Sequence, residues 1–321
     1  MNIKRETLIN ILVVTGIFLI VSFVLCFLSF SDNSSIGSFL DEIDDRFGDS
    51  RFEWREKSGD SPKPSEDVVI LVVDENSVNE LGRWPWSRKL QAEILQSIYN
   101  YKPKVVALDI VNSEKLDDQE DVLLGQTIKS FRNTVLGYFY RYNEPTEDNS
   151  ESFKYVKRSK INIIKTIEEP DKIYSDNFWR FKSVEVNIPE IGKNARSHGF
   201  FNFKPDDDGI FRKAILLTKF NGSFYPSLNL EGLRKFVKGQ LILSLDKLGI
   251  EGLFLNDLEI PITESGSFVL NYYGEGGTIP TYSIIDVLNK KIPDEKLKDK
   301  LVFVGVTEIG VYDIRPSPLD G

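Results

Sequence analysis

The chain has 321 residues, 41% of them hydrophobic and 12% aromatic, enough to bury a sizeable core. Its formal net charge of -9 argues against a nucleic-acid partner, which would need a clustered basic face. A single cysteine, Cys26, excludes an intramolecular disulfide, and with a single histidine, His198, it excludes the usual Cys and His zinc sets. Neither a cofactor nor a metal is implied.

Residues 8–30 hold no charge and no proline and are rich in Leu, Ile, Val and Phe. About 20 such residues in a helix cross a hydrocarbon core of roughly 30 Å, so this run predicts one transmembrane helix. Lys4 and Arg5 precede it, and Asp32, Asp41, Glu42, Asp44 and Asp45 follow it. The positive-inside bias then places residues 1–7 in the cytoplasm and the bulk of the chain outside the cell (inner) membrane. The alternative, a cleaved secretory signal, has a shorter apolar core of about 7 to 15 residues and small residues at its exit. Here the exit is the bulky Leu25-Cys26-Phe27-Leu28-Ser29-Phe30.

Beyond the run, Ile36, Phe39, Leu40, Ile43 and Phe47 recur at helical spacing, predicting an amphipathic juxtamembrane helix. Residues 48–66, charged and containing Gly59, Pro62 and Pro64, read as a linker, so the folded domain is expected over 67–321. The β-branched run 68–73 ending at Asp74 predicts a strand buried on both faces. Ser87 can cap a helix carrying the stripe Leu90, Ile94, Leu95 and Ile98, and 104–108 is a second buried strand, ending at Asp109. This order gives a crossover unit with parallel strands.

A helix at 122–130 and a strand at 134–139 follow, and then the pattern weakens, so 140–189 reads as an insertion. A hairpin is expected from 199–203 and 212–219 around Asp206-Asp207-Asp208-Gly209, with a further tight turn at Asn221-Gly222. A helix at 227–238, a strand at 268–272, a helix at 283–289 with Ser283 and Asp286 as a capping box, and a strand at 301–306 complete the reading. The fold class is α/β, a mixed, partly parallel sheet flanked by helices, preceded by one N-terminal transmembrane helix.

Asp74 and Asp109 end two neighbouring parallel strands in this reading, and Asp313 follows a third. Ligands of open α/β sheets bind beyond the carboxyl ends of the strands, so a carboxylate-lined pocket there suits a cation or an amine-bearing solute. Aspartate at a strand end also serves as ordinary turn chemistry, accepting from loop amides. Trp84 and Trp86 with Arg88 can wall that crevice, or Arg88 can instead pair with Asp74 or Asp109 and fix the loop, leaving Trp86 buried.

Asp206-Asp207-Asp208-Gly209 does not fit an EF-hand, because the sixth and twelfth positions are Phe211 and Leu217. Gly209 at positive φ in a tight turn fits better. Gly274-Glu275-Gly276-Gly277 lacks the phosphate-cradle pattern, and Glu75-Asn76-Ser77 stands where a dinucleotide site would need glycines. His198 has no partner nucleophile by spacing and is expected to pack at a strand start.

The chain resembles the type 2 CHASE domain, the extracellular sensory domain of bacterial adenylate/guanylate cyclases, histidine kinases and serine/threonine kinases. The resemblance runs over about 36–321 and rests on Asp74-Glu75-Asn76-Ser77, Gly82-Arg83-Trp84-Pro85-Trp86-Ser87-Arg88 and Val106-Ala107-Leu108-Asp109-Ile110. It continues through Gly199-Phe200-Phe201-Asn202, Asp206-Asp207-Asp208-Gly209-Ile210-Phe211-Arg212, Asn271-Tyr272-Tyr273-Gly274, Val302-Phe303-Val304-Gly305 and Asp313-Ile314-Arg315-Pro316-Ser317-Pro318. Ser317 stands where the family more often has Thr, and 140–189 is longer than usual.

The resemblance implies the extracytoplasmic sensory region of a bacterial transmembrane signal transducer, controlling an adenylate/guanylate cyclase missing from this chain. It also implies a homodimer through the full-length transducer and an unknown small-molecule or protein signal. The residues themselves leave two other readings open. One is a membrane-tethered metal-dependent hydrolase using Asp74, Asp109 and Asp313, and the other is a partner-binding module of the cell envelope.

Overall fold

A computed structural model describes residues 5–29, 35–142, 150–166, 178–179, 181–307 and 316–319. The chain divides into two compact units, one ending at Ser61 and the other running from Pro62 to Asp320.

The first unit consists of helices α1 (Arg5–Ser29) and α2 (Ser35–Ser58). Side chains of α1 are described over 13–27, where Phe18, Phe23 and Phe27 are exposed. Among the described residues no helix is long and apolar enough to cross a membrane, so the span expected at 8–30 is not established by the fold. The juxtamembrane helix continues well past Phe47, into the stretch expected to be linker. Pairs one turn apart, Glu42 with Arg46 at 2.7 Å and Glu53 with Lys57 at 3.1 Å, support it. Gly59, at φ +76°, then ends it in the left-handed region that glycine tolerates.

The second unit is a mixed α/β domain. Its first half runs β1 (Val68–Val73), α3 (Glu75–Leu81), α4 (Arg88–Asn100), β2 (Val105–Leu108), α5 (Asp118–Ser130), β3 (Thr134–Arg141) and α6 (Ser150–Val156). There follow β4 (Ile163–Thr166), β5 (Ser183–Glu185), α7 (Pro189–Gly192), β6 (Ser197–Phe200), β7 (Lys213–Ile215), β8 (Leu217–Phe220), β9 (Ser223–Pro226) and α8 (Leu228–Val237). The last part is β10 (Leu241–Leu245), β11 (Ile250–Leu255), β12 (Leu258–Ile260), β13 (Ser267–Val269), β14 (Thr281–Ser283), α9 (Ile284–Leu288) and β15 (Leu301–Val306).

The central seven-stranded sheet has the order β14-β1-β15-β2-β3-β5, with β6 also on β3. All its pairings are parallel except that of β5 with β3. The last of the described strands therefore lies between β1 and β2, with Val302 opposite Val69 on one side and Val106 on the other. This corrects the expectation that β1 and β2 are neighbours. Their β-branched runs fit burial on both faces but carry no information about which strand lies beside them.

A second sheet, β12-β11-β10-β4, has its own core of Leu241, Leu243, Leu253 and Leu255. Residues 140–189, so far as they are described, supply β4 to this sheet and β5 to the central one. The hairpin expected from 199–203 and 212–219 does not form. Instead β6 runs parallel to β3, β7 pairs with β13, and β8 with β9 makes the hairpin, turning at Asn221 (φ +47°) and Gly222 (φ +73°). The Asp206–Gly209 turn is present with Gly209 at φ +88°, and Asp208 and Asp206 clasp Arg212 at 2.7 and 3.2 Å.

One face of the central sheet is closed by helices. Val69, Leu71, Val106, Leu108, Val302 and Val304 pack with Ile94 and Ile98 of α4, Leu124 and Ile128 of α5 and Ile284 of α9. On the opposite face Val105, Ala107, Val135 and Leu301 meet Leu228, with Phe236 of α8 alongside. The start of α8 approaches β6 so closely that a Cβ on Gly199 would lie 2.5 Å from the Leu228 Cα. Gly199→Ala is expected to lower stability by about 1–3 kcal/mol through overpacking, measured as a lower urea midpoint with unchanged slope.

Candidate functional site

Among the described residues, helix α8 covers only part of its face. Val68, Ile70 and Val72 of β1 and Phe303 of β15 form the floor of an open groove of about 560 Å3. Phe201, Phe203, Leu233 and Ile279 also line it, and Asp109, Asn202, Asn229 and Thr307 supply its polar groups. Val68, Ile70 and Phe303 are only half-buried, whereas Val69, Leu71 and Val302 on the opposite face are closed off.

Three of the polar residues, Asp109, Asn202 and Thr307, are held by hydrogen bonds to neighbouring backbone. The Asp109 amide donates to the Val304 carbonyl at 2.8 Å, carrying the pairing of β2 with β15 one residue further. Asn202 bridges Tyr140, its Oδ1 accepting from the Tyr140 amide and its Nδ2 donating to the Tyr140 carbonyl, both at 2.7 Å. The Thr307 amide donates to the Val73 carbonyl at 3.0 Å. A preformed apolar groove with a few fixed polar groups and a volume within roughly 300–1,000 Å3 is the usual form of a small-molecule site.

The expected site residues do not converge. Asp74 caps α3: its Oδ1 accepts from the Ser77 amide at 2.9 Å and from the Ser77 and Ser283 hydroxyls, each at 2.7 Å. Burial opposes ionisation, but the hydrogen bonds from Ser283 and Ser77 outweigh it and hold the Asp74 carboxyl below the ordinary carboxylate range. The same contact replaces the capping box expected at Ser283, whose hydroxyl serves Asp74 rather than the amides of α9.

Trp84 and Trp86 lie against the helix-covered face, edge to face with centroids 5.3 Å apart. The buried Trp86 donates from Nε1 to the Gly82 carbonyl at 2.7 Å. Both border a void of about 30 Å3, room for a single water and not for a ligand. Asp109 lines the groove on the other face, and β15 separates its strand from that of Asp74. Asp313 lies outside the described residues.

Arg88 pairs with neither Asp74 nor Asp109 among its resolved contacts. Its guanidinium donates to Asp121 at 3.1 Å, to the Asn112 side chain at 2.5 Å and to the Glu114 carbonyl at 2.9 Å. Asn112 in turn donates to Gln91 and, through its amide, to Asn187, which donates to the Gly137 carbonyl. This buried network ties α4, α5 and the ends of β2 and β3 together. Arg88→Met would leave Asp121 enclosed without its cation, so urea unfolding should show a loss of about 3–5 kcal/mol. An Arg88 held only for ligand contact would show unchanged stability.

Sequence reasoning missed the groove because its floor is ordinary strand residues, made accessible by which strands neighbour them. The available signal was Phe201, Asn202 and Phe203, three residues too polar and aromatic in mixture for a simple strand. A family model described as the CHASE2 domain matches residues 18–320. No match to this chain is found among curated proteins or solved structures. With its match extending over nearly the whole length, the chain belongs to the CHASE2 domain family, a family of sensory domains.

Proposed function

We propose that this chain is the extracytoplasmic sensory region of a bacterial signal transducer, held in the cell membrane by the apolar run at 8–30 with its N-terminus cytoplasmic. Its output is an adenylate/guanylate cyclase carried outside these residues, and the transducer works as a homodimer. Membership in the CHASE2 family over 18–320 is the observation that carries this reading. Support for the anchor comes from the uncharged sequence at 8–30 and the exposed phenylalanines of α1. For pairing it comes from Phe47 and Trp54, both exposed and two turns apart on one face of α2.

Input is assigned to the groove, and its occupant to a small molecule with an apolar body and a polar end. A ligand covering roughly 100 Å2 of apolar floor gains about 2.5 kcal/mol, at roughly 25 cal/mol per Å2. That is about sixtyfold in an equilibrium, but only if the competing conformation lacks the groove, since a ligand shifts populations solely through its difference in affinity.

The hydrolase reading lacks comparable support. Asp74 is engaged as a cap, Asp109 is two strands away, and no group of acidic, His or Cys side chains able to hold a metal occurs among the described residues. A partner-binding module would share the anchored topology and differ in having no output domain.

Labelling decides the topology. In a Cys26→Ala background, Lys63→Cys places one thiol at an exposed position, and a membrane-impermeant maleimide should modify it in intact spheroplasts. Modification only after lysis would contradict the extracytoplasmic placement. The coding sequence past Gly321 should continue into further apolar spans and a cyclase; a stop codon there would contradict the transducer.

A further inference from the structure

We propose that His198 is an acid-responsive latch, whose protonation releases the segment from Phe153 to Ser159 from strand β6. The inference supplies a signal, protons, to the sensory reading and rests on that reading for its meaning, though not for its chemistry.

His198 lies on β6 opposite Leu136 of β3 and is 2% exposed. Neither ring nitrogen makes a well-formed hydrogen bond among the described residues, although the Gly192 backbone is within reach of the ring. A buried polar ring without well-formed bonds is rare and costly, and it becomes far costlier when charged. Burial first, and then the neighbouring Arg158 cation, push its pKa down to about 3, against a hydrogen bond with the Gly192 backbone.

Among the described residues no carboxylate forms an ion pair with the ring. On α7, Glu190 Oε1 is turned to Lys115 at 2.7 Å, and its buried Oε2 has no hydrogen-bond partner among the described residues. On α8, the buried Glu231 is held by Arg234 and by the Ser197 hydroxyl. On β3, the Tyr138 hydroxyl shares a hydrogen bond with Tyr140. The segment joined to His198 through Ser159 brings cations and a phenol: Arg158 stands 5.0 Å from the Tyr155 ring, Lys154 lies over that same Tyr155 ring, and Lys157 lies over Phe153.

That segment is fastened by few bonds. The Ser159 hydroxyl accepts from the His198 amide at 2.7 Å, and Arg158 donates to the Lys193 and Ala195 carbonyls at 2.9 and 3.0 Å. Phe153 and Val156 fill the aromatic core beside Tyr225 and Phe200. Opening the segment hydrates the ring and removes Arg158 from its side.

The sign follows from linkage. Between the ordinary value of about 6.5 and the folded value near 3, the open form binds a proton that the closed form refuses, so closure weakens as pH falls. The opening equilibrium rises about tenfold for each pH unit below about 6.5. Asp74 and Asp208, whose carboxyls are held low, lose their contributions only in more acidic solution.

Because His198 is the only histidine, the imidazole Hε1 signal of the full chain in detergent is a single resonance. Hydrogen exchange read alongside it should show Phe153 to Ser159 opening at least about tenfold faster at pH 5 than at pH 7, after correction for intrinsic rates, while the ring signal of the closed majority stays that of a neutral imidazole. In His198→Leu the acceleration should vanish. A ring that titrates near pH 6.5 with no change in exchange overturns the proposal, as does identical acid opening in His198→Leu. Should that variant not fold, the unmodified chain decides alone. Acid opening in vitro with no effect on output in cells would leave the latch standing and remove the sensory reading.

Discussion

A parallel sheet has to be covered on both faces, and the described residues of this domain cover one with three helices and the other in part. The strands β1, β15 and β2 are apolar on both sides, as parallel strands must be. Helices α4, α5 and α9 close one side, while on the other α8 covers β2 and β3 and reaches Leu301 and Phe303 of β15. The remaining floor, with Val68, Ile70 and Phe303 half-buried, forgoes part of the roughly 1.5–3 kcal/mol that full burial of each such side chain gives. Placing β15 at the centre also makes the far end of the domain part of its middle, so a disturbance at the groove reaches strands from both ends of the sequence.

The polar chemistry is distributed around that sheet and not gathered at one crevice. The Arg88 network stiffens the covered side, and the Asp74, Ser77 and Ser283 cluster fastens α3 to β14 and α9. Asp109 alone of the described site candidates faces the open side. A rigid covered face opposite a partly open one gives a domain in which the open face can respond while the fold persists. The segment beside His198 is tied to β6 through Ser159 and to the turn after α7 through Arg158.

The elements with strong local pattern were legible. The runs at 68–73, 104–108 and 301–306 form strands, Ser87 caps α4 through the Leu90 amide, and Asn221-Gly222 turns a hairpin. Pairing was not legible, because apolar runs of similar composition fit next to one another equally well. This is why β15 was not placed between β1 and β2, and why 199–203 was given a hairpin partner instead of β3. Site residues failed for a related reason. Aspartate at a strand end serves a cap or a ligand with the same residue type, and only the partners, Ser77 and Ser283 for Asp74, distinguish the two. The family was legible because it rests on the order of many short motifs and not on any one of them.

The claim that the open half of the sheet receives a ligand is tested most directly on the Pro62–Asp320 unit prepared free of detergent. A neutral apolar fluorophore, N-phenyl-1-naphthylamine, is titrated against it and against Gly305→Leu. Beside Gly305 the nearest atom to an added Cβ is the Asp109 Cβ at 3.8 Å, so the larger side chain can enter the groove without disturbing the core. The account predicts saturable binding at one site, lost in the variant while Tm is unchanged. Absence of saturable binding, or equal binding by both proteins, would contradict it.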